Sequence, residues 1–223
     1  MTLLSIQWRV LESTPLGSIC LAATAKGIVF LNAVEVRTSK YFSEGGPGSA
    51  EAVVPNELSR AIAAWKIQPE SLKLVHVPAD ASTTDIEPFP SLDVAASRLT
   101  EYLDSLDQSA GLRVPTDDAL CGTPVDWTFL EDHTSATKAA VWKVIASIPR
   151  GDIWDYSRVA KEAGCAKAIR NVATVIGSNF VPLIVPCHRV CGKDGKMRGF
   201  SFPGGLDVKR RLLKMETGRV FAR

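Results

Sequence analysis

The chain opens on residues 6–10, where apolar and polar side chains alternate, and alternation of period two predicts a half-buried strand. Apolar runs at residues 19–23 and 28–33 read as two further strands. Thr14-Pro15-Leu16-Gly17 and Lys26-Gly27 punctuate them, so a hairpin is predicted. The pattern fades over residues 35–55, where Gly45-Gly46-Pro47-Gly48 marks a loop. Residues 57–65 place Leu58, Ala61, Ile62 and Trp65 on one helical face, and residues 72–77 read as a strand followed by a loop to residue 90. Leu92, Ala95, Leu99, Tyr102, Leu103 and Leu106 share one face of a helix over residues 92–106, with Asp93 in its first turn. Periodicity is then lost over residues 108–135, which sets the expected domain boundary. Trp127 and Phe129 are apolar anchors inside that connector.

Helical spacing returns with Thr134 or Ser135 as N-cap and Ala140, Val141, Val144, Ile145 and Ile148 as the apolar stripe; Pro149-Arg150-Gly151 ends this helix. Two short helices are predicted over residues 157–163 and 166–176, separated at Gly164. This is the helix-turn-helix pattern, with Lys167 and Arg170 on its second helix. The apolar run 181–185 delivers Pro186-Cys187-His188-Arg189-Val190. A turn at Gly192-Lys193-Asp194-Gly195, a glycine-rich segment over 199–205 and a basic helix over 206–216 follow, the last with Val208, Leu212 and Leu213 turned inward. The expected fold is a small α/β domain over residues 1–131, connector included, joined to a mainly α domain over residues 132–223. No motif in residues 1–131 carries chemistry, and a supporting role is expected there.

Length and an ordinary apolar fraction allow two small domains with a real core. No apolar run approaches the roughly 20 residues of a membrane span. The first residues do not read as a signal peptide. An intracellular protein without membrane partners is expected, in a bacterial cytoplasm or a nucleus. The net charge of +2 hides an asymmetry: residues 132–223 hold 17 Lys/Arg against 7 Asp/Glu, a net of +10, while residues 1–131 carry a net of −8. A basic half of this size suggests a polyanionic partner. A helical corner without DNA is the other reading of the helix-turn-helix pattern, and the charge favours nucleic acid.

The five cysteines are odd in number and scattered, so reduced thiols are expected rather than a disulfide framework. Cys187 and Cys191 flank His188, but no second pair at zinc-ligand spacing follows, and no metal is expected. A thiol is nucleophilic as the thiolate, and a neighbouring imidazole or cation lowers its pKa. Cys187 has His188 and Arg189 beside it. A small packed core cysteine is the alternative for Cys187.

Together these motifs resemble the O6-alkylguanine-DNA alkyltransferases, also called methylated-DNA–protein-cysteine methyltransferases. The resemblance rests on Pro186-Cys187-His188-Arg189-Val190. It extends to Val141-Trp142, Ile148-Pro149-Arg150-Gly151, Tyr156, Arg170-Asn171-Val172, Asn179, and Leu212-Leu213 with Glu216, covering about residues 134–217. Thr14-Pro15-Leu16-Gly17 and the helix over 92–106 add weaker matches. The resemblance implies an RNase H-like first domain and a winged-helix-like helix-turn-helix in the second. It implies that Cys187 permanently accepts a methyl or other alkyl group from O6-alkylguanine, and from O4-alkylthymine, in duplex DNA. His188 would deprotonate it through a water and Glu216 would orient His188. Asn179 would hold the cysteine loop and the helix-turn-helix in register. Arg170 would fill the gap left by the flipped base. Tyr156 would crowd the phosphate behind that nucleotide and donate a proton towards the guanine oxygen. Backbone at Cys187 and Val190, together with Ser201 and Lys209, would read the base, and Lys167 would contact DNA. The recognition helix would lie in the minor groove, the protein would be a monomer, and no cofactor is expected because the protein is itself the acceptor.

The chain departs from the family pattern at Thr137-Lys138, at Phe180 after Asn179, at Asn171 and Ala173 on the recognition helix, and through an inserted Phe202-Pro203. These bear on DNA affinity and alkyl-group range. From the residues alone, a DNA-binding module without transfer and a cysteine hydrolase using Cys187 and His188 remain as alternatives.

Overall fold

The structure, a computed structural model, describes residues 3–34, 56–68, 71–78, 86–107 and 118–221. The loop expected around Gly45-Gly46-Pro47-Gly48 lies outside them. Strands β1 (Leu4–Thr14), β2 (Gly17–Thr24) and β3 (Gly27–Val34) form an antiparallel meander, and β4 (Leu72–His76) pairs in parallel with β1, giving the order β3-β2-β1-β4. Residues 19–24 of β2 are all buried, which explains why this strand reads as a continuous apolar run: both faces of the central sheet are covered. Helix α1 (Asn56–Trp65) packs near β3, and α2 (Pro90–Asp107) lies across β1, β2 and β3.

Two polar residues of β1 are buried and paired. Arg9 reaches Asp93 of α2 at 2.7 Å. Gln7 donates to the carbonyl of Glu87 at 2.9 Å and accepts from Phe89 N at 2.6 Å, fixing the entry to α2. Buried polar groups persist where hydrogen bonds satisfy them, so both locate α2 on the sheet. The apolar face of α2 then seats Leu92, Ala95, Leu99, Tyr102 and Leu103 in the core.

The segment between the two parts of the chain carries a helix that its loss of periodicity conceals. Helix α3 (Trp127–Asp132) is too short to establish a 3.6-residue repeat, and its cap announces it instead. Asp126 accepts from Phe129 N at 2.9 Å through one carboxylate oxygen and receives the Thr24 hydroxyl on the other. Ile28 N donates to the Pro124 carbonyl at 2.9 Å and Asp126 N to the Ile28 carbonyl at 3.1 Å, so the segment seals the edge of β3. Gly27 permits this approach: a Cβ there would stand 2.6 Å from Asp126 N.

Helix α4 (Ala136–Ala146) starts at Ser135, whose side chain accepts from Lys138 N at 3.3 Å. Its buried side is Ala139, Val141, Trp142 and Ile145, rotated from the expected stripe so that Trp142 enters the core and donates to the Val175 carbonyl at 3.0 Å. Strand β5 (Trp154–Asp155) leads into α5 (Tyr156–Glu162), which Asp155 caps through Ser157 N and Arg158 N, and α6 (Ile169–Gly177) completes the helix-turn-helix. This last helix begins three residues later than expected, so Lys167 lies in the turn and not on the helix. Ala168 offers no side-chain cap that would start the helix earlier. A single 3-10 turn (Cys187–Arg189) runs into β6 (Val190–Cys191), which pairs in parallel with β5, and α7 (Gly205–Thr217) closes the fold. One contiguous apolar core extends from Ile6 to Leu212 through both parts. Among the described residues, no helix is long and apolar enough to cross a membrane.

Asp126 joins a cap to a buried cross-link. Asp126→Ala is expected to lower the unfolding free energy by about 2–3 kcal/mol in urea titration, and Asp126→Ser, which can keep the cap alone, by less.

Candidate active site

Each element around Cys187 is held by a bond that arrives from elsewhere. The run 181–185 forms a tight turn rather than a strand: Val185 N donates to the Val181 carbonyl at 2.8 Å, and Leu183 sits at φ 73°. A left-handed, non-glycine residue costs about 1–2 kcal/mol, and complete burial of its side chain offsets this. Asn179 clamps the turn, donating to the Val185 carbonyl at 2.8 Å and accepting from Val181 N at 3.0 Å. Its amide also favours the charged form of the Cys187 thiol. Thus the end of α6 and the turn that carries the cysteine are tied by one amide side chain. Phe180 donates no side-chain polar bond. Its ring meets Trp65 and Trp142 edge-on at 5.5 Å each, and its carbonyl accepts from Leu31 N at 2.8 Å.

Cys187, His188, Arg189, Lys209 and Glu216 are all buried. Glu216 is the centre of the group. Its Oε1 lies 3.0 Å from His188 Nε2 and accepts from Arg189 Nη2 at 2.8 Å, while Oε2 accepts from Arg189 Nε at 2.9 Å. Arg189 also donates to the Ile148 carbonyl at 2.7 Å and pairs with Asp118 at 3.0 Å. Tyr102 of α2 donates to Glu216 Oε1 at 2.7 Å. Lys209 donates to the Val190 carbonyl at 2.6 Å. The His188 Nδ1 atom is buried and, among the described residues, has no hydrogen-bond partner.

Burial opposes the charge on Glu216, but the His188 ring and the Arg189 guanidinium outweigh it and hold the carboxyl well below the usual carboxylate range. Burial pushes the His188 pKa down, against the pull of Glu216, so the imidazole is neutral at pH 7. The thiol differs from what its neighbours in sequence suggest. Burial raises the Cys187 pKa, and the Asn179 amide and the Lys209 charge only partly oppose it. Arg189, adjacent in sequence, spends its charge on Glu216 and Asp118. The resting site is therefore a thiol beside a neutral imidazole, a pair suited to transferring the proton to a base when an electrophile arrives.

The structure gathers Cys187, His188, Glu216, Asn179, Lys209 and Val190. Tyr156 is half-buried, and its phenol is raised chiefly by burial and then by the charges of Cys191 and Cys187. The β5–β6 pairing brings it there, setting Asp155 beside Cys191. Arg170 and Lys167 stay apart from this cluster, exposed on the helix-turn-helix, where Asn171, Ala173 and Thr174 are exposed as well. Ser201 is exposed on the glycine-rich segment. There Phe202 is buried and stacks on Phe200 at 6.0 Å, and Phe200 lies edge-on to His188 at 6.4 Å. Sequence reasoning named Arg189 only as a neighbour of the thiol, not as the partner of Glu216, and missed Tyr102 and Asp118. Arg189 was visible inside the pentapeptide. Tyr102 showed only as one hydroxyl on an otherwise apolar stripe, and its bond to Glu216 links residues 1–131 to the buried group.

Two buried groups make acid stability a readout. Because His188 has a lower pKa folded than unfolded, the unfolded chain takes up a proton that the native state excludes. Stability is full above about pH 6.5 and falls below it, by at most about 1.4 kcal/mol per pH unit. His76, pushed down by burial and then by Arg9, adds to the same slope. Glu216 loses its contribution only below about pH 4.3. His188→Gln is expected to flatten the dependence of urea-unfolding free energy between about pH 6.5 and 5, leaving the His76 share.

Residues 136–218 match the family model described as 6-O-methylguanine DNA methyltransferase, DNA binding domain. A methylated-DNA–protein-cysteine methyltransferase of Haemophilus influenzae is 38% identical over 87 residues, 39% of this chain and 48% of that protein. The protein of the same name from Mycobacterium bovis is 42% identical over 80 residues, 36% of this chain and 47% of that protein. These matches span about half the length of the curated relatives. The fold as a whole is similar to that of Mycobacterium tuberculosis OGT in complex with DNA, at TM-score 0.57 and 23% identity over 97% of this chain and 96% of that one. Over residues 136–218, therefore, this chain is similar to the DNA-binding domain of the 6-O-methylguanine DNA methyltransferases.

Proposed function

We propose that the chain repairs DNA by direct reversal, moving a methyl or larger alkyl group from O6-alkylguanine in a duplex to Cys187. One observation carries the reading: a buried thiol adjoins a histidine whose Nε2 is bound to a buried carboxylate and whose Nδ1 is unpartnered among the described residues. His188 takes the thiol proton through a water. The Cys187 sulfur then attacks the alkyl carbon, the carbon–O6 bond breaks, and its electrons return to guanine, which regains a proton delivered by way of Tyr156. A thioether on Cys187 and an unmodified guanine result. No step regenerates the thiol, so each molecule acts once. O4-alkylthymine presents the same alkyl–oxygen bond and is the second substrate class.

A base inside a stacked duplex does not expose its O6 group to a buried thiol, so the nucleotide must flip out. The exposed face of α6, with Arg170, Asn171, Ala173 and Thr174, is the surface proposed to enter the minor groove, and Arg170 occupies the vacated stack. Base readout in that groove is degenerate, which suits a lesion that occurs in any sequence. Exposed Lys167, Lys193, Lys196 and Arg198 supply phosphate contacts. Residues 132–223 form the winged-helix-like DNA-binding and transfer domain, residues 1–131 an RNase H-like support, and the protein works as a monomer. Ser201, Lys209 and the backbone at Cys187 and Val190 hold the flipped base.

Incubation with duplex DNA carrying O6-methylguanine is expected to add one methyl group at Cys187 in the intact mass, and Cys187→Ser to abolish the gain while DNA binding persists. Tight binding without a mass change would instead mark a lesion-binding module, and multiple turnover on an ester a hydrolase. Arg170→Ala is expected to slow transfer from duplex DNA about 10-fold, about 1.4 kcal/mol in the barrier, with less effect on the free modified base. Equal slowing of both reactions would remove the proposed role of Arg170.

A further inference from the structure

Glu216 receives a donor from a part of the chain that no motif marks. The Tyr102 hydroxyl, fully buried at the far end of α2, gives its hydrogen to Glu216 Oε1 at 2.7 Å and lies 3.5 Å from His188 Nε2. Arg189 already matches the charge of Glu216 through two bonds, so the tyrosine is not required for neutrality. Its geometry does something else. Having donated its single hydrogen, the phenol oxygen turns lone pairs towards Nε2, and Glu216 Oε1 faces the same nitrogen. Nε2 thus meets two acceptors and no donor, so the neutral ring carries its hydrogen there and leaves the Nδ1 lone pair free.

We infer that Tyr102 is a positioning residue that holds His188 in the Nε2–H tautomer, making α2 a working part of the site. The inference rests on the reading of His188 as the base for Cys187. The hydroxyl remains a donor because burial, and after it the charge of Glu216, push the phenol pKa well above its usual range. A phenylalanine would fill the same space in the apolar stripe, so the hydroxyl answers to Glu216 and His188 and not to packing. Asp118, in the connector, pairs with Arg189 at 3.0 Å.

The test uses the full chain without DNA. Nitrogen-15 NMR reads the tautomer of His188. The rate of Cys187 modification by iodoacetamide at neutral pH is followed by peptide mass mapping, which separates it from exposed Cys121. Tyr102→Phe is expected to replace the pure Nε2–H pattern by a mixture and to slow modification at Cys187 about fivefold. Leu99→Ala, one turn back on α2 and also buried, is expected to lower stability and leave the tautomer unchanged. An unchanged tautomer in Tyr102→Phe overturns the inference, even if the rate falls. Should that variant not fold, ring-fluorinated tyrosine at position 102, a stronger donor to Glu216, is expected to shift the His188 Nε2 resonance, and no shift overturns it. A chain that shows these changes yet takes no alkyl group from DNA would keep this inference and sink the transfer reaction.

Discussion

A carboxylate buried as completely as Glu216 exists only where its charge is met. Arg189, His188 and Tyr102 converge on its two oxygens, from the 3-10 turn and from α2, while Glu216 itself comes from α7. Removing one partner of such a group leaves an uncompensated buried charge, which typically costs about 3–5 kcal/mol. The placement of α2 against α7, the seat of the cysteine turn and the reach of Asp118 to Arg189 all follow from satisfying this one anion. The same bonds that hold the fold together orient the histidine beside the thiol.

The state of that thiol follows from burial. A cysteine exposed beside a cation is reactive at all times, whereas Cys187 is buried and held protonated. Under the proposed reaction this is an advantage. An acceptor consumed in a single event gains from being inert to passing oxidants and from losing its proton only once a substrate lies against it. Asn179 makes the link physical, since one side chain bonds the cysteine turn and stands at the end of α6.

The departures from the family pattern also acquire physical content. Phe180 forms an aromatic cluster with Trp65 and Trp142 and passes its carbonyl to β3, so it binds the two parts of the chain together. Phe202 is buried against Phe200, which presents its edge to His188. Phe202 thus thickens an apolar wall beside the site. Asn171 and Ala173 stay on the exposed face of α6, where they alter the proposed DNA surface without touching the thiol group.

Much of this was legible in the residues. Strands β1 to β3 and helices α2 and α7 follow from apolar period and turn residues, because burial of one face imposes that period locally. Cys187 and His188 were legible as neighbours, and Glu216 and Asn179 through resemblance. Short elements escaped: α3 has too few residues for a repeat, and the turn before α6 moved Lys167 off the helix because no cap residue marks the start. What only the tertiary structure decided is what long-range contact and burial decide. Pairing of Tyr102 with Glu216 spans 114 residues, and no local pattern encodes it. The protonated thiol, the neutral imidazole and the ion pair that occupies Arg189 depend on exclusion of water and on which charges meet inside, quantities that exist only once the chain has folded.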